Sequence, residues 1–162
     1  MSQDDTGTPR FDLIELLFFA YRDFTADPDI LLNEIGYGRA HHRVLHFVHR
    51  NPGMTVSDLL EILRITKQSL GRVLKQLVDD GYILQEPGPL DRRQRLLYTS
   101  DKGRELSEQL SQLQTRRINN TISKMAPGSD EKVREFLYLM IDENQRSEVA
   151  RLIGDDLSAK GE

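Results

Sequence analysis

The 162-residue sequence predicts a mainly α-helical protein carrying one small β-hairpin. Three observations predict it. Apolar residues recur at helical spacing along both ends of the chain; two short amphipathic helices in the middle are joined by Arg64-Ile65; and two short apolar strands follow directly after them. Charged residues make up 30% and hydrophobic residues 38%, a balance suited to helices with narrow apolar faces and solvated polar ones.

The first helix is expected from about Phe11 to Ala26, where Leu13, Ile14, Leu16, Leu17, Phe18, Tyr21 and Phe24 occupy more than one apolar stripe and so need partners on two sides. Asp27-Pro28 has the form of an N-cap followed by proline in the first helical position, opening a short turn through Ile30, Leu31 and Leu32 that Gly36 and Gly38 close. A second helix from about Arg39 to Arg50 buries Ala40, Val44, Leu45 and Val48, and Asn51-Pro52-Gly53 ends it. Thr55, with Asp58 three residues on, resembles a capping box for a helix burying Val56, Leu59, Leu60 and Leu63. Thr66 caps the next helix. Its Leu70, Val73, Leu74, Leu77 and Val78 follow the i, i+3, i+4, i+7, i+8 pattern before Gly81 stops it.

Tyr82-Ile83-Leu84 then reads as a strand, Pro87-Gly88-Pro89 as a turn, Leu90–Arg95 as a tip and Leu96–Thr99 as the returning strand. Ser100 caps a long helix carrying Leu106, Leu110, Leu113, Ile118, Ile122 and Met125, roughly 30 Å at 1.5 Å per residue, and Pro127-Gly128 breaks it. Ser129 opens a final helix expected to bury Val133, Phe136, Leu137, Met140 and Ile141 and to reach Leu152 and Ile153 with an interruption. The domain order is thus an N-terminal dimerisation helix at 11–36, a central helix-and-hairpin region at 37–100 and C-terminal dimerisation helices at 101–154, with tails at 1–10 and 155–162. The dimer reading comes from surplus apolar surface at the two chain ends, with Leu13, Leu17, Phe18, Phe136, Leu137 and Met140 as interface candidates.

Composition narrows the function. Cysteine is absent, which removes disulfides, thiolate catalysis and thiolate metal sites. The acidic, polar segment Met1–Arg10 lacks the pattern of a signal peptide, and no apolar stretch approaches the roughly 20 residues of a membrane span, so a cytoplasmic protein without membrane contact is expected. The net charge is −4, yet residues 64–95 carry seven basic side chains against four acidic ones. The positive charge is local, on the two central helices and the hairpin.

Those two helices suggest a helix-turn-helix, the second presenting Lys67, Gln68, Ser69, Arg72, Lys75 and Gln76 on its polar face behind Thr66. Arginine and lysine can take guanine O6 and N7, glutamine fits the adenine edge, and a threonine or serine near a helix N-terminus can hold phosphate. The hairpin tip adds Asp91, Arg92, Arg93 and Arg95, three arginines that suit a narrow minor groove, with the Asp91 carboxylate expected to hold one guanidinium in a bidentate bond. A solvated charged turn is the plainer alternative.

On these residues the chain resembles the MarR family of bacterial winged-helix regulators over about Phe11 to Ile153. The resemblance rests on Leu59-Leu60, on Ile65-Thr66-Lys67-Gln68-Ser69-Leu70, on Leu77-Val78-Asp79-Asp80-Gly81-Tyr82-Ile83 and on Asp91-Arg92-Arg93. It implies a winged helix-turn-helix head on a helical dimerisation stalk, and an obligate homodimer built from the first and last helices. It further implies a reader helix in the major groove of double-stranded DNA and a wing whose Asp91 and Arg93 place arginine in the minor groove. One departure is Ser100, where the family ordinarily has threonine; serine caps as well. A two-fold dimer would read half-sites roughly 34 Å apart on a pseudo-palindrome.

A transcriptional regulator, not an enzyme, with no cofactor, is therefore expected, modulated by a small molecule of aromatic-acid type. Tyr37, Arg39, His41 and His42 are candidates for the effector pocket because they start the helix that would bridge head and stalk. His41, His42, His46 and His49 all lie on that helix, which keeps a metal-responsive regulator open as an alternative. A helical interaction protein without DNA binding is the other.

Overall fold

A computed structural model describes residues 7–154. The chain divides into two compact units, one up to Thr115 and one from Arg116 onward.

In the first unit, α1 (Phe11–Glu34) runs unbroken through Pro28, so the expected stop at Ala26 does not occur. Proline in a helix interior removes one backbone hydrogen bond and crowds the preceding turn. Here Pro28 and Leu32, one turn apart on the same face, are both buried, and that packing holds the helix together across the defect. The Thr25 hydroxyl also donates to the Tyr21 carbonyl at 2.9 Å in the turn before. Only Thr25, Pro28 and Leu32 of this helix are buried, and residues 11–20 are exposed throughout.

α2 (Arg39–Arg50), α3 (Val56–Leu63) and α4 (Lys67–Asp79) form the tri-helical head at the boundaries expected from their caps. Thr55 accepts the Asp58 N–H at 3.2 Å while the Asp58 carboxylate accepts the Thr55 N–H at 2.8 Å, a reciprocal box that fixes the start of α3. Leu45, Val44 and Val48 of α2, Leu59 of α3, and Leu70 and Leu77 of α4 are fully buried together with Ile83, Leu97 and Leu110.

The hairpin is β2 (Ile83–Pro87) and β3 (Arg95–Thr99), paired antiparallel from Ile83 with Thr99 to Pro87 with Arg95. A third strand, β1 (Met54–Thr55), pairs with Leu97 and Leu96 and puts β3 in the centre. Two residues are too few for a period-2 pattern, which is why the sequence indicates only a hairpin. By joining the start of α3 to the wing, this strand makes the wing part of the head.

α5 (Asp101–Ile122) ends before Met125, which lies in the turn that follows, and the boundary between the two units falls within it. The second unit contains α6 (Ser129–Leu139) and α7 (Glu143–Ile153), separate helices where one interrupted helix was expected. Arg146 spans the break, its guanidinium donating to the Ile141 carbonyl at 3.0 Å and the Leu139 carbonyl at 2.8 Å, so that it takes up carbonyls left free around the end of α6. Phe136, Leu137 and Met140, expected to be buried, are each about half exposed in the single chain.

Candidate nucleic-acid interface

The N-terminus of α4 is built by Thr66. Its Oγ1 accepts the Ser69 N–H at 3.1 Å and its hydroxyl donates to Ser69 Oγ at 2.8 Å. The Ser69 hydroxyl hydrogen therefore remains to be given outward, at a helix terminus whose dipole favours anions. Lys67, Gln68 and Arg72 are exposed on the face opposite Leu70, Leu74 and Leu77. Lys75 is exposed too, but its ammonium pairs with the Asp79 carboxylate one turn on.

Gln76, also exposed, is bonded to α2. His41 Nδ1 accepts the Gly38 N–H at 3.1 Å, so the imidazole proton must sit on Nε2, which donates to Gln76 Oε1 at 2.8 Å. The sequence offers Gln76 to an adenine edge; in the fold its carbonyl joins α2 to α4 while its amide hydrogens remain open to a base.

At the wing, the Asp91 carboxylate accepts the Arg93 backbone N–H at 2.9 Å. This corrects the expected bidentate bond to a guanidinium. Asp91 shapes the turn and does not neutralise an arginine. The Gln94 N–H donates to the Asp91 carbonyl at 3.1 Å and the Gly88 N–H to the Gln94 carbonyl at 2.8 Å, closing the loop on itself. A Cβ on Gly88 would sit 2.7 Å from the Asp91 carbonyl oxygen, so the fold admits only glycine there without movement. Arg92, Arg93 and Arg95 are exposed, and among the described residues no carboxylate forms an ion pair with them. Leu90 beside them is fully exposed.

A cluster that sequence reading missed joins reader to wing at Asp80-Gly81-Tyr82. The Tyr37 hydroxyl donates to Asp80 Oδ2 at 2.6 Å, Ser100 Oγ to the Gly81 carbonyl at 2.6 Å, and Lys102 Nζ to the Asp80 carbonyl at 2.8 Å while lying 4.2 Å from the Tyr82 ring centre. Gly103 packs directly on the Tyr82 carbonyl. Burial, and then the Asp80 carboxylate, push the Tyr37 hydroxyl well above its usual range, so it remains a proton donor. The Ser100 hydroxyl also accepts the Gly103 N–H at 3.1 Å, the capping role expected of it.

A cleft of about 260 Å³ lies between α1, α2 and Gln114 of α5, within the first unit. Of the four expected pocket residues, Arg39 and His42 line it. Tyr37 and His41 do not: Tyr37 is buried in the core, and His41 stacks on it at 4.4 Å on the side of α2 that meets α4. The cleft instead takes Tyr21, Phe24, Arg43, His46 and Phe47. One signal could have found them: Arg39, His42, Arg43, His46 and Phe47 share the α2 face opposite Val44, Leu45 and Val48. Arg39 pairs with Asp29 at 3.0 Å and Arg43 donates to the Tyr21 hydroxyl at 2.8 Å. Burial, with His46 adding to it, lowers His42 from 6.5 to about 4, and burial also lowers His46. The four histidines do not converge, His41 being turned to Gln76, and no metal-holding group of three or more ligands occurs among the described residues.

Three helices, a three-stranded sheet and an arginine-tipped β2–β3 loop define a winged helix-turn-helix protein. A profile of the MarR family matches residues 35–94. The chain is 45% identical, over 82% of its length and 80% of the relative's, to the HTH-type transcriptional regulator PetP of Rhodobacter capsulatus. It belongs to the MarR family. Solved structures agree on the fold. MarR superposes with a TM-score of 0.64 at 21% identity, covering 94% of this chain and 99% of that one. Streptococcus pneumoniae FabT, solved in complex with DNA, gives 0.69 at 18% identity over 78% and 90%. No described helix is long and apolar enough to cross a membrane.

Proposed function

We propose that the chain is a cytoplasmic, homodimeric transcriptional regulator without enzymatic activity that binds a pseudo-palindromic operator, α4 entering the major groove and the wing the adjacent minor groove. The observation that carries this reading is the pair of cationic groups held by one rigid head. Lys67 and Arg72 are exposed on α4 without ion-pair partners among the described residues, and Arg92, Arg93 and Arg95 are presented likewise on a wing that β1 and the Asp80–Tyr82 cluster hold to the same core. FabT, a protein of the same fold, was solved in complex with DNA, which supports DNA as the partner.

The dimer follows from exposed apolar surface. Phe11, Ile14 and Phe18 of α1 are exposed at 62%, 61% and 64%, and Leu13, Leu17, Phe136, Leu137 and Met140 by two-fifths or more, a load that a lone soluble chain rarely carries. Residues 11–36 and 101–154 serve as the stalk in this reading and 37–100 as the reader.

The cleft is the effector site of this proposal, its aromatic walls suited to a ring and Arg39 and Arg43 to a carboxylate. Such a ligand modulates DNA affinity only if it favours one head arrangement over the other. Fluorescence anisotropy with duplex from upstream of the chain's own gene, across a salt series, tests the DNA reading. Log K should fall linearly with log salt. Absent or salt-independent binding would defeat it. Among aromatic carboxylates, those that raise the melting temperature should also shift operator affinity.

A further inference from the structure

Arg64 is the only described non-glycine residue with positive φ, at φ 50° and ψ 42°. It forms the left-handed C-cap of α3, its N–H donating to the Leu60 carbonyl at 3.0 Å. Left-handed backbone crowds any Cβ, and glycine or asparagine is what a helix end of this geometry ordinarily takes. A long cationic side chain has no conformational reason to be there. The Arg64 side chain is exposed, and among the described residues it makes no ion pair or hydrogen bond that would offset the backbone cost.

Its place in the fold supplies a reason. Arg64 sits in the turn between the two helices of the reader, two residues before the Thr66 cap and three before Lys67. In helix-turn-helix docking the second helix enters the groove N-terminus first and the first helix crosses the backbone, so the turn between them lies over phosphates. From these observations we infer that Arg64 is a phosphate-contacting residue of the DNA interface, kept in unfavourable backbone for the charge it holds beside the reader's N-terminus. The inference rests on the DNA-binding function proposed above.

Stability and binding should then move in opposite directions, which a purely structural residue would not produce. R64G relieves the left-handed strain, so its melting temperature should equal or exceed the wild-type value by up to roughly 4 °C. Its affinity for sonicated mixed-sequence duplex and for a duplex selected from a random pool should fall by a similar factor, roughly five- to tenfold near 0.1 M salt. The slope of log K against log salt should lose about one unit. R64N, also tolerant of left-handed backbone, should behave like R64G, and R64K should keep most of the affinity and the slope. If both uncharged variants bind with wild-type affinity and slope, the inference is overturned while the proposed function stands. If R64G melts well below the wild type, Arg64 is structural and the inference likewise fails. Failure of the wild-type chain to bind either duplex would remove the proposed function and this inference together.

Discussion

Gly103 gives the sharpest test of how the wing is held. A Cβ built there would lie 2.0 Å from the Tyr82 carbonyl oxygen and 2.9 Å from its carbon, against backbone on a strand-leading segment that cannot swing aside. Reaching the edge of tolerated contact, about 3.0 Å, requires α5 and the Tyr82 segment to part by roughly an ångström. That movement acts on the bonds binding α5 to the turn, from the Ser100 N–H to the Tyr82 carbonyl at 3.1 Å and from the Ser100 hydroxyl to the Gly81 carbonyl at 2.6 Å. Overpacking costs about 1–3 kcal/mol and each weakened bond up to about 1.5 kcal/mol, whereas replacing glycine by alanine in a helix returns about 1 kcal/mol. Gly103→Ala should therefore destabilise the protein by about 2–3 kcal/mol, the middle of the range these terms span. Gly71→Ala, in α4 with nothing within 4 Å of the new methyl, should stabilise it by up to about 1 kcal/mol. Urea unfolding followed by circular dichroism, at one fixed protein concentration, measures both. Equal or greater stability of Gly103→Ala would mean that helix propensity alone governs the position and that the contact with Tyr82 does not constrain the wing.

Phe18→Asp places a charge on the exposed α1 face without removing a buried contact of the single chain, so sedimentation should report a monomer that retains its helical circular dichroism; an intact dimer would refute that interface. The folded protein holds His42 neutral down to about pH 4 while the unfolded chain takes up its proton near 6.5, so unfolding free energy should decline as pH falls through that window. His42→Gln should flatten the decline, and an unchanged profile would exclude His42 as its source. Tyr37→Phe deletes the 2.6 Å bond to Asp80 and should cost about 1 kcal/mol, Asp80 being exposed, as read by urea midpoint; no loss would mean that water replaces the hydroxyl without penalty.

Much of the head was legible because its signals are local. The Thr55–Asp58 and Thr66–Ser69 caps and the spacing of Leu70, Leu74 and Leu77 fix α3 and α4 within a residue or two. What the sequence hid depends on distant partners. Pro28 reads as a helix start because its cost is local, while the burial of Pro28 and Leu32 that offsets it comes from tertiary packing. The same limit governs the site. Exposure of Lys67, Gln68 and Arg72 follows from helical period, but the bonds of Gln76 to His41 and of Tyr37 to Asp80 span 35 and 43 residues. The cleft residues Tyr21 and Phe24 read only as apolar stripes in need of a partner, because an apolar face says nothing about whether the space beside it is filled.

Hydroxyl-radical footprinting on a duplex selected from a random pool bears most directly on the paired docking of α4 and the wing. Two symmetric protected segments about one helical turn apart are predicted, with Arg93→Ala losing the minor-groove flank of each and Arg72→Ala weakening the whole pattern. A single asymmetric patch, or footprints unchanged by either substitution, would contradict the account.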